Sequence, residues 1–232
     1  MASISTDVTD DIEVEEQEQG QDQHPSFFRT LRASWLMLGI LIAVILGASV
    51  FLYQTWPKTP GDNSAEAGFL RDMSVHHSQA VQMALIIRDR TEDEQLKSTA
   101  TDIVLTQQNQ IGMMDGWLTL WDLPHSSSEP AMTWMGHPVD GLMPGMATQE
   151  QIDSLRTLPV DQAEVLFLQL MIRHHQGGVD MAQGYLDRGN QDDVTAFAEN
   201  VKFIQTSEIA TMNQMLEARG QKPITDPLPM GH

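Results

Sequence analysis

Residues 69–84 read FLRDMSVHHSQAVQMA, and residues 167–182 read FLQLMIRHHQGGVDMA. Phe, Leu, Met, His, His, Val, Met and Ala recur in the same order at a constant offset of 98 residues. The register runs on into the next segment, where Ala100, Gln107, Ile111, Met114 and Leu118 correspond to Ala198, Gln205, Ile209, Met212 and Leu216 without a gap. At about 100° per residue, Met73, His76, His77, Ala80 and Ala84 share one helical face, as do Met171, His174, His175, Gly178 and Ala182. Each half is therefore a helical hairpin whose apolar face would stay wet alone. Two copies closing on one another make a four-helix bundle with approximate twofold symmetry, so the expected fold class is all-α.

Caps and breakers set the expected boundaries. Asn63 stands three residues before Glu66, and Thr91 three before Glu94, the spacing of a capping box. The first helix is expected over 64–90 and the second over 92–121, closed by Pro124. The third should begin near Asp161, after Pro159, and end at Gly189; the fourth should run from after Asn190 to Gly220. The bundle domain thus covers 64–220, with a flexible tail over 221–232 and an irregular link between the hairpins over 122–160.

Ahead of the bundle, the run from Ala33 to Tyr53 carries no charge and is long enough to cross a bilayer. Its length, and the polar tail before it, favour an uncleaved anchor over 33–54 rather than a cleaved signal. Arg29 and Arg32 lie before it and Lys58 alone soon after, which puts the acidic, disordered 1–32 segment in the cytoplasm and the bundle outside. Residues 55–63 form a Pro/Gly linker.

Composition narrows the chemistry. A formal charge of -19 over 232 residues disfavours nucleic acid and anionic headgroups and favours cations. No cysteine is present, so any metal must be held by His, Met, carboxylate or amide groups. The candidate ligands are His76, His77, His174 and His175, with Met73, Met83, Met171 and Met181 on the same helices. Met114, Met212 and Glu208 stand on the partner helices, beside Gln107, Gln110 and Gln205. In the link, Met132, Met135, His137, Met143 and Met146 lie in a Gly/Pro-rich stretch, with Met135 and His137 the stronger candidates. Met-Gly-His occurs at 135–137 and again at 230–232. Imidazole with thioether suits Cu(I), or Ag(I) as its mimic, better than Mg, Ca or Zn.

The pieces MSVHHSQAVQMA, LMPGMATQEQIDSLR, FLQLMIRHHQGGVDMA and SEIATMNQML resemble the domain-of-unknown-function family numbered 305, over about residues 64–220. The resemblance implies a ferritin-like four-helix bundle and a role in copper handling, with Met73, His76, His77, Met171, His174 and His175 as the matching positions. It also implies a carboxylate at both 110 and 208, whereas this chain has Gln110 and Glu208.

The reading at this stage is a membrane-anchored, extracytoplasmic, methionine-rich protein that binds Cu(I) for buffering, delivery or resistance, with a copper donor or acceptor protein as an implied partner. No turnover is implied. The rival is a structural or partner-docking bundle whose histidines form a hydrogen-bonded core. A di-iron oxidase on the same fold would want Glu-x-x-His, which the chain lacks, as it lacks the His-Glu-x-x-His of zinc hydrolases.

Overall fold

A computed structural model describes residues 25–55 and 59–228 of the chain. The acidic segment up to residue 24, Trp56, Lys58 and the second Met-Gly-His lie outside the described residues. The chain divides into two units, residues 1–58 and 59–232. The first contains helix α1, Pro25–Thr55. Within it Arg32–Gln54, 23 residues of mean hydropathy 2.6, is the one stretch among the described residues long and apolar enough to cross a membrane. Such a stretch suits either a membrane span or the apolar part of a signal sequence.

The second unit contains α2 (Ala65–Arg88), α3 (Glu94–Leu120), α4 (Gln149–Thr157), α5 (Val160–Leu186) and α6 (Asp192–Ala218). The four long helices are the expected bundle. α2 packs along α3 and α5 along α6, and the two hairpins meet through α2 and α5. α2 and α3 begin one or two residues later than their sequence signals suggested, whereas α5 begins at Val160, one residue before Asp161. Ser64, not Asn63, caps α2 by accepting from the Ala67 amide, and Asp93, not Thr91, caps α3 by accepting from the Gln95 and Leu96 amides. Thr91 is buried and donates instead to Glu164 at 2.6 Å, which ties the α2–α3 turn to α5.

The link between the hairpins is more ordered than expected. It contains α4, a nine-residue helix opened by a capping box between Thr148 and Gln151, which buries Ile152 and Leu155 against the bundle. Upstream, the Asp72 carboxylate accepts from the Met132 amide at 2.7 Å and from the Trp134 indole at 2.8 Å, anchoring this part of the link to α2. Further along, the segment 143–147 forms a strap across α2 and α5. Gln79 clamps it, its amide donating to the Ala147 carbonyl at 2.9 Å and its oxygen accepting from the Ala147 amide at 2.7 Å.

The strap lies backbone to backbone on α5. A Cβ on Gly177 would run into the Pro144 carbonyl oxygen, and Gly145, at φ 79°, sits against the Arg173 carbonyl. Gly177→Ala should therefore lower stability by roughly 1–3 kcal/mol despite alanine's better helix propensity, because rigid backbone must move. Gly112, also within a helix but with open space around it, should gain up to about 1 kcal/mol on substitution by Ala. Thermal melts of the two variants check the opposite signs; stabilisation by Gly177→Ala would mean that the strap does not lie on α5.

Candidate metal centre

Each long helix places two polar residues at one level of the bundle. They are His76 and His77 on α2, Gln107 and Gln110 on α3, His174 and His175 on α5, and Gln205 and Glu208 on α6. The core divides around this layer. One apolar cluster holds Met83, Ala100, Met171 and Met212; the other holds Met73, Met114, Met181 and Ala198. Sequence periodicity explains the level: residues one helical turn away from the layer on each helix are apolar, so the polar pairs fall between two hydrophobic blocks.

All four histidines are fully buried, and Gln107, Gln110 and Gln205 are nearly so. The His76 and His174 rings meet where α2 and α5 face each other, with centroids 3.8 Å apart and planes tilted by 34°. His76 Nε2 lies 3.0 Å from the Pro144 carbonyl oxygen of the strap. The repeat then shows itself twice: His77 Nε2 is 2.8 Å from Gln110 Oε1, and His175 Nε2 is 2.6 Å from Glu208 Oε2. Gly178, one turn from His175, leaves the space that the Gln205 amide occupies, and a Cβ there would make that amide shift.

Much polar capacity remains unused. Among the described residues, both ring nitrogens of His174, Nδ1 of His76, His77 and His175, and both amide atoms of Gln107 and Gln205 have no hydrogen-bond partner. Leaving such groups dry costs about 1–3 kcal/mol each. Burial also keeps the His76, His77 and His174 rings neutral. It is the largest cause lowering His76 to about 4 and His77 to about 3, and it holds His174 well below the ordinary value, with neighbouring histidines adding to the effect. A neutral imidazole keeps a lone pair, which is the form that binds metal.

The candidate residues do not all converge. Met73 and Met114 lie one helical turn from the layer on one side, and Met171 and Met212 one turn away on the other, all fully buried. Met83 and Met181 are a further turn out. Met135 packs at Gly184 near the end of α5, and His137 is exposed on the link. Among the described residues no three His, Asp or Glu side chains form a ready metal-binding group. Sequence reasoning missed Pro144, Gln79 and Asp72. Its available cue was the pair of glycine-bearing stretches, LMPGM and HHQGG, which the fold presses together.

A fused pair of helical hairpins closed on a buried histidine–amide layer is the class of protein defined here. The chain belongs to the DUF305 family, a domain of unknown function, whose pattern matches residues 66–216. The structure is similar to that of a presumed secreted DUF305 protein from Streptomyces coelicolor, which is 51% identical and covers 72% of this chain and 100% of that one at a TM-score of 0.68. Protein L153 of Acanthamoeba polyphaga mimivirus is 44% identical over 50 residues, 22% of this chain, and the match spans 33% of that viral protein, about a third of its length. CopM, solved in a Cu(I)-bound form, is a more distant likeness at 25% identity over 67% of this chain and 96% of that one; a TM-score of 0.49 says nothing of the ligands of this chain.

Burial of neutral rings makes stability depend on pH. The folded values of His76, His77 and His174 lie below the unfolded value near 6.5, so the unfolded chain binds more protons as the pH falls. Their contribution is full above pH 6.5 and is lost progressively towards pH 4 and below. Asp72 and Asp180, both raised mainly by burial, act with the opposite sign, but they are two groups against three. Between pH 7 and pH 5 the metal-free protein should lose on the order of 2 kcal/mol for each of His76 and His77, with His174 adding to the loss. Denaturant titrations at the two pH values check this, and equal midpoints would show that the rings are not held neutral.

Proposed function

We propose that this protein binds a soft monovalent cation, Cu(I) or its mimic Ag(I), in the buried layer, for metal buffering, delivery or resistance. One observation carries the reading: the fully buried His174 imidazole, whose polar neighbour is the His76 backbone and which makes no well-formed hydrogen bond on either nitrogen, faces the His76 ring at 3.8 Å. A structural core histidine is normally held by at least one bond. The donor set is neutral imidazole with thioethers one turn away, and it contains no thiolate, which suits soft ions over Zn(II) or Mg(II). His76, His77, His174 and His175 would hold the ion, with Met73, Met114, Met171 and Met212 as the nearest thioethers. Rotation of His174, which no well-formed bond restrains, would bring a ring nitrogen to the ion. Helix α1 would anchor the bundle on the outer face of a membrane, its flanking arginines on the inner side. A protein that supplies or receives the ion completes the proposal.

The second reading, a hydrogen-bonded structural core, draws support from His77 on Gln110 and His175 on Glu208. One pair of measurements separates the two. In the full-length chain, His76→Ala with His174→Ala should weaken Ag(I) binding at least about tenfold, roughly 1.4 kcal/mol. The metal-free midpoint should change little, because the two rings share a single hydrogen bond between them. A collapse of the metal-free midpoint with unchanged silver affinity would establish the structural reading instead.

A further inference from the structure

Three of the four rings in the layer are gripped by the same atom. His76 Nε2 faces the Pro144 carbonyl, His77 Nε2 the Gln110 carbonyl oxygen, and His175 Nε2 a Glu208 carboxylate oxygen. A backbone carbonyl and a carboxylate are acceptors, so the ring nitrogen supplies the hydrogen. Gln110 occupies the position equivalent to Glu208 in the repeat and presents its oxygen in the same way. A neutral imidazole with its hydrogen on Nε2 has its lone pair on Nδ1, and in each of these three rings Nδ1 is buried and without a partner.

We infer that in His76, His77 and His175 Nδ1 is the nitrogen open to a cation, each ring acting singly or with one neighbour since no three such groups converge among the described residues, and that Pro144, Gln110 and Glu208 are positioning groups that fix the ring tautomer rather than ligands. The inference rests on the soft-cation reading and says which atoms serve it. It accounts for the one chemical difference among the matched polar pairs of the layer. An amide and a carboxylate can stand at equivalent positions because the task at both is to accept an N–H, which either does. It also gives the strap a chemical role: the Pro144 carbonyl, brought in by a segment outside the four long helices, sets the tautomer of His76, whose ring has no acceptor from the bundle itself among the described residues. Outer partners of this kind orient ligating imidazoles and raise their basicity. His174 stands apart, since neither nitrogen makes a well-formed hydrogen bond that would fix its tautomer.

Nitrogen-15 spectra of the histidine-labelled full-length chain in detergent test this directly. Without metal near neutral pH, His76, His77 and His175 should each show the Nε2–H tautomer. With Ag(I), nitrogen–silver coupling should appear at Nδ1 while the Nε2–H signals persist. Nδ1–H tautomers in the metal-free protein, or silver coupling at Nε2, would overturn the inference even where silver binds. Correct tautomers without any silver binding would leave the positioning role intact and sink the soft-cation reading. Variants give a second arm: Glu208→Gln, which keeps an acceptor, should hold silver affinity within about threefold, whereas Glu208→Leu should cost about 10–100-fold and release the His175 tautomer. Equal losses in both variants would make Glu208 a charged ligand and overturn its positioning role.

Discussion

Desolvation of the polar layer is the constraint around which the bundle is arranged. Four imidazoles and four amide or carboxylate groups lie at one level between two apolar clusters. Burial pushes the His76, His77 and His174 imidazoles towards neutrality, and the few hydrogen bonds that form decide which nitrogens are committed and which keep lone pairs. The apolar blocks on both sides supply the burial that offsets this polarity. They also bring methionines to within one turn of it, so the same packing that dries the layer surrounds it with sulfur.

Closure of the layer depends on backbone as much as on side chains. The strap sits down on α5 because Gly145 and Gly177 leave room for two backbones to touch, and Gln79 fixes its far end with a reciprocal pair of bonds. Pro144 then faces His76. The α5 side of the layer is specialised too, with Gly178 where the repeat has Ala80 on α2, so that the Gln205 amide fits against the helix.

What could be read without coordinates was whatever repeats. The 98-residue offset exposes the bundle, its pairing and the histidine face, because side chains that bury together must recur at helical spacing. The anchor-like run of α1 was legible from hydropathy alone. The caps at Ser64 and Asp93 were displaced by one or two residues because neighbouring Asn63 and Thr91 carry the same capping chemistry, and only backbone angles choose among them. Helix α4 escaped because the link was read for its methionines, although Thr148 and Gln151 spell a capping box. The Pro144 carbonyl could not have been found by residue type, since every residue carries one. Arg71 makes the same point from the other side: a charge expected at the surface is buried, its guanidinium donating to the Pro124 and Asp62 carbonyls.

Joining the two hairpins in one chain has a consequence for how the layer can vary. In a symmetric dimer of a single hairpin, any substitution would appear on both sides of the axis at once, and a strap reaching one face would have its duplicate on the other. Covalent fusion lifts that coupling. Position 110 can carry an amide while 208 carries a carboxylate, and a single linker can close over His76 without a twin over His174. The layer is thus built from similar parts yet is chemically and sterically lopsided, with its carboxyl group on the α6 side.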